Sequence, residues 1–104
     1  MTNKPETGHS YRVLVNDNFH YMDESERYEL AVFATCCAAV AACRKIVDEY
    51  LLSNYRFGMT NEALWESYTS FGEDPFIVST DAECGFSAWD YARQRCEQIC
   101  LRGG

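Results

Sequence analysis

Basic residues are scarce in this chain: nine lysines and arginines stand against sixteen acids, a formal net charge of −7. A nucleic-acid binder needs a basic stripe to displace counterions, and none is present, so nucleic-acid binding is set aside. Attachment to anionic membrane surfaces is disfavoured for the same reason. Long apolar runs are missing as well, and no stretch reaches the roughly 18 residues of a membrane span. The first ten residues are polar and hold no apolar segment of the kind that directs secretion, which leads to the expectation of a cytoplasmic protein. Histidines number two and glycines six, and the glycines are scattered. Neither G-x-G-x-x-G nor G-x-x-x-x-G-K-[ST] occurs, nor G-x-S-x-G, H-E-x-x-H or an EF-hand loop. These absences weigh against an enzyme and against a nucleotide cofactor, and the expectation is that the chain carries no cofactor.

What is present is a globular composition: 104 residues, 47% apolar and 14% aromatic. That length fits one domain with a core of its own. Residues 1–10 read as a disordered tail and 11–104 as a single domain. The acids are spread along the chain, which fits a solubilising surface better than the dense array of a nucleic-acid mimic.

Six cysteines are many for this length. In a chain read as cytoplasmic they are expected as reduced thiols. Cys36 and Cys43 fall seven apart on one face of a predicted helix, as small hydrophobes. Cys96 and Cys100 lie one helical turn apart, so with Cys84 they form the alternative reading, a metal-ligand group completed by His9 or His20. No C-x-x-C pair supports that alternative.

Tyr11, Val13, Val15, Phe19 and Tyr21 share one parity, the pattern of a half-buried strand interrupted around 16–18. Tyr28, Leu30 and Val32 form a second alternating strand. A hairpin closed with Met22 opposite Arg27 brings Tyr21 to Tyr28, Phe19 to Leu30 and His20 to Glu29, with both apolar sets on one face. Thr35 is the expected N-cap of a helix running to about Tyr55, with a stripe of Cys36, Val40, Cys43, Val47 and Tyr50. After Gly58, Thr60 caps a shorter helix with Leu64, Tyr68 and Phe71 inward. Gly72 to Pro75 makes a turn into a short strand, 76–78. Ser87 with Asp90 then forms a capping box for a third helix that buries Trp89, Ala92, Cys96 and Ile99. The order is ββααβα: an α+β fold with a three-stranded, mainly antiparallel sheet and helices packed on one face. Val40, Val47 and Leu30 are expected in the core.

Seven residues stand out as candidate binding positions. His20 beside Glu29 makes a pair able to fix an imidazole tautomer, though no nucleophile is in view for it to activate. Asp17 has the parity of the buried set and needs a hydrogen-bond partner. Glu73 and Asp74 sit between a glycine and a proline, beside Phe71 and Phe76. Leu14 and Phe33 fall on the outward face of the hairpin, giving a mixed surface with an apolar end. The tail Leu101-Arg102-Gly103-Gly104 matches the conjugation tail of ubiquitin, but nothing upstream follows a ubiquitin pattern, and Gly103 reads as a helix stop.

The stretches Tyr11-Arg12-Val13-Leu14-Val15-Asn16-Asp17-Asn18-Phe19-His20-Tyr21-Met22, Ser70-Phe71-Gly72-Glu73-Asp74-Pro75-Phe76-Ile77 and Phe86-Ser87-Ala88-Trp89-Asp90-Tyr91-Ala92-Arg93 resemble a family of small bacterial proteins without assigned function. The resemblance covers most of the chain after residue 10. It implies a bacterial, cytoplasmic setting and no catalytic residue or cofactor. The functional expectation is therefore a small non-enzymatic module that binds a protein partner or itself. The alternative is a small-ligand or metal-binding protein using the Asp17/His20 region or the Cys84/Cys96/Cys100 group.

Overall fold

The computed structural model describes residues 9–20 and 27–103, the side chains of His20 and Arg102 excepted. Residues 1–8 of the expected tail at 1–10, and the hairpin closure of Tyr21 and Met22, lie outside the described residues. Strands β1 (Tyr11–Asp17), β2 (Tyr28–Phe33) and β3 (Glu73–Val78) form an antiparallel sheet in the order β2-β1-β3. Helices α1 (Cys36–Asn54), α2 (Asn61–Phe71) and α3 (Ala88–Gly103) complete the ββααβα order. The fold is α+β, as the alternation of periods in the sequence requires.

Each helix begins where its cap places it. The Thr35 hydroxyl accepts from the Ala38 N–H, that of Thr60 from Ala63, and that of Ser87 from Asp90. These bonds satisfy donors that the first turn leaves open. Gly58, at φ +86°, takes the left-handed conformation needed to turn from α1 into α2. Gly72 has no room for a side chain, because a Cβ there would collide with the Tyr68 ring.

The core has two parts. The larger lies among the helices: Val47 and Leu51 of α1, Leu64 and Tyr68 of α2, and Ala88, Ala92, Cys96 and Ile99 of α3. A half-buried network joins α1 to α3, in which the Arg95 Nε donates to Asp48 at 2.8 Å and the Tyr91 hydroxyl donates to the same carboxylate at 2.9 Å. The smaller part, between sheet and α1, contains only Tyr11, Val13, Ala39 and Cys43, with Phe33, Cys36, Ile77, Cys84 and Phe86 packed around it. A disulfide closes it, Cys36–Cys84, spanning 48 residues of sequence.

That bond corrects the expectation of six reduced thiols. Cys36 opens α1 and Cys84 lies in the loop before α3, and the fold brings their Cα atoms to 5.8 Å, within bridging distance. Cys37, Cys43, Cys96 and Cys100 remain free. Burial pushes the thiols of Cys43 and Cys96 up to about 11, so both stay protonated and unreactive at neutral pH.

The hairpin register is also corrected. Tyr11 pairs with Phe33, Arg12 with Val32 and Val13 with Ala31; the register then shifts, and Leu14 pairs with Glu29 and Val15 with Tyr28. Leu30 is left without a partner as a bulge, and a bulge reverses parity. Phe33 therefore lies on the helix-facing side with Tyr11, not outward with Leu14. Leu30, expected in the core, is 43% exposed, and Val32 on the same strand is 54% exposed. Asn18, in the expected interruption around 16–18, is buried in a short 3-10 turn, its amide donating to the Tyr68 carbonyl at 2.9 Å. Phe71 and Trp89 are likewise more exposed than their helix faces imply. Phe71 stacks on Phe19, with ring centroids 5.4 Å apart.

Candidate functional site

All three helices pack on one side of the sheet, so its other face has no covering layer among the described residues. Reading the registers across β2, β1 and β3 gives its rows. Val32, Arg12 and Val78 form one; Glu29, Leu14 and Phe76 the next; Asn16 and Asp74 the last. Val32 and Val78 are largely exposed, and Leu14 and Phe76 are half-buried. One pair of charges on this face is neutralised within it. The Arg12 guanidinium donates twice to one Glu29 oxygen, at 2.8 and 2.9 Å. Arg27 donates to the Asn16 side-chain oxygen at 2.8 Å, and its guanidinium carbon lies 5.4 Å from the Phe76 ring centroid.

The seven candidate residues thus divide. Leu14 and Glu29 meet on this face, and Asp74 lies at its far corner. Phe33 is on the opposite face. Glu29 is engaged by Arg12; the His20 side chain, and with it the expected His20–Glu29 pair, falls outside the described residues. Asp17 makes a local turn, its carboxylate accepting the Phe19 N–H at 2.9 Å. Glu73 pairs with Asp17 across the strands and accepts from the Tyr28 hydroxyl at 3.2 Å, while its backbone carbonyl accepts from the buried Tyr68 hydroxyl at 2.6 Å. Sequence reasoning missed Arg12, Val32, Phe76 and Val78. Their signal was the alternation itself, once the bulge at Leu30 is known.

The disulfide removes one member of the expected metal-ligand group. Cys84 is bonded to Cys36, so it is not a third ligand beside Cys96 and Cys100. Among the described residues no group of three or more His, Cys, Asp and Glu side chains is placed to hold a metal ion.

Catalytic geometry is thin as well. His9 Nδ1 lies 2.7 Å from the Thr80 hydroxyl, but this contact is exposed. The neighbouring Asp81 does not orient the imidazole by a hydrogen bond. Its two oxygens accept from the Tyr11 hydroxyl at 2.7 Å and from the Glu83 N–H at 3.0 Å. Those two bonds, the Tyr11 one first, hold the Asp81 carboxyl below its usual value.

A second concave feature lies at the free edge of β3. Asp74 and Phe76 face the segment Phe86-Ser87-Ala88-Trp89 across an open groove of about 390 Å³. Phe86 is held against the Tyr91 ring at 5.6 Å, and Trp89 meets Trp65 edge-on at 5.7 Å. The Asp74 carboxylate is half-buried, with no hydrogen-bond or ion-pair partner among the described residues. Loss of solvent pushes its pKa above the usual carboxylate value.

No family model, curated protein or solved structure matches the chain.

Proposed function

We propose that this chain is a non-enzymatic binding module whose outer sheet face packs against the same face of a second copy. The observation that carries the reading is the row Val32, Arg12, Val78: two exposed valines flank an arginine whose charge Glu29 already neutralises. Isolated exposed apolar residues are ordinary on a protein surface. Here they lie side by side with Leu14 and Phe76 on a continuous antiparallel face, which is the arrangement two sheets use to pack. A chain of net charge −7 repels its own copies, and the row Val32, Arg12, Val78, whose one charge is paired with Glu29, is where two copies approach most closely. The test is the mass in solution as a function of concentration, for the natural chain and for a Val32→Ser, Val78→Ser double variant.

Among the described residues no helix is long and apolar enough to cross a membrane. The cytoplasmic setting rested on the polar opening of the sequence, and the Cys36–Cys84 disulfide favours an oxidising compartment instead.

A further inference from the structure

We propose that the groove at the free edge of β3 is a binding site for a small quaternary ammonium ion. Three aromatic side chains, Phe76, Phe86 and Trp89, share the groove with one carboxylate, Asp74. Aromatic faces attract cations through the ring quadrupole, and a cage of rings around an acid is the usual recognition chemistry for alkylated ammonium groups.

Three features of this groove point to such a ligand. Its walls are held before any ligand arrives, since Phe86 rests on Tyr91 and Trp89 is braced by Trp65. Its carboxylate is withdrawn from solvent without the partner that a half-buried charge ordinarily acquires, and a cation in the groove supplies that partner. Phe76 already attracts a cation, the Arg27 guanidinium, which does not line the groove and so leaves the groove itself to a ligand. A volume of about 390 Å³ falls in the range of small-molecule sites and exceeds the size of a trimethylammonium head. Phe76 and Asp74 also belong to the outer face, but Trp89 and the Asp74→Asn variant report on the groove while Val32 and Val78 report on the dimer, so the two readings are tested separately.

The experiment is a titration of the full chain followed by NMR, reading the indole N–H signals of its two tryptophans. Choline and its neutral isostere 3,3-dimethylbutan-1-ol have nearly the same shape and differ in charge. The expected result is a preference for choline of roughly tenfold, the scale of a desolvated cation–π contact, with the Trp89 signal moving most. Asp74→Asn abolishes the preference while leaving the fold intact, because the replaced carboxylate holds no structural bond. Trp89→Leu, which keeps an apolar wall, weakens choline binding as an independent check. Equal binding of choline and its isostere, or an unchanged preference in a folded Asp74→Asn variant, overturns the proposal. A peptide carrying trimethyllysine that binds more tightly than choline overturns the free ion as the occupant.

Discussion

The two faces of the sheet are built from the same three strands and obey different rules. On the helix side, Val13 and Val15 are fully buried, and the Tyr11–Phe33 pair packs against α1. On the outer side Val32, Val78, Leu14 and Phe76 lie among Arg12, Glu29, Asn16 and Asp74, with nothing over them among the described residues. An antiparallel sheet tolerates a wet face when that face is polar. The inner face is covered on folding; the outer face is the one we propose for association, and the predictions below separate those two uses.

The largest effect belongs to the covered side. Val47 is fully buried where α1 meets α2 and α3, so Val47→Asp places an unpaired charge in the helical core. Thermal unfolding should show a loss of more than about 4 kcal/mol, enough to leave much of the chain unfolded. An outer-face substitution of the same kind, Val78→Asp, should cost far less. Equal costs would erase the distinction between the faces.

The disulfide comes next. It clips the smaller core, which has few buried residues of its own. Loop-closure entropy for a separation of 48 residues gives about 4 kcal/mol as an upper figure for the loss on reduction. Titration of unreduced, denatured protein with a thiol reagent should count four thiols, and six after reduction. Six before reduction would remove the clip from the account.

Asp74 gives a smaller effect of opposite sign. Its pKa is raised on folding, so the ionised carboxylate opposes the folded state. That penalty is complete above the raised pKa, falls as pH drops through it, and is gone below the unfolded value near 3.8. Asp74→Asn should therefore stabilise the chain at pH 7. The advantage should shrink on acidification toward pH 4. A variant less stable than the natural chain at pH 7 would mean that Asp74 has a structural partner.

Much of the fold was legible in the sequence because its signals are local. Thr35, Thr60 and Ser87 each cap the helix they announce, and the spacing of Cys43, Val47 and Tyr50 locates the buried side of α1. The second strand was not legible. Tyr28, Leu30 and Val32 alternate cleanly, but the bulge at Leu30 puts Val32 and Tyr28 on opposite faces, and alternation carries no mark of an unpaired residue. The Cys36–Cys84 bond was hidden because pairing depends on the packed loop before α3 and not on spacing. Asp74 stood out between Glu73 and Pro75, yet its aromatic surroundings come from the distant segment Phe86 to Trp89, which only the folded chain brings alongside.

The smallest change in stability and the clearest change in behaviour are expected together at Val32 and Val78. Light scattering across a concentration series should find the natural chain, 11.9 kDa as a single copy, at the mass of two copies. Val32→Ser with Val78→Ser should return it to one copy, with unfolding stability of each copy shifted by no more than about 0.5 kcal/mol. A natural chain that stays at one copy up to the highest concentrations, or a double variant that still forms the dimer, would contradict the assignment of the outer face.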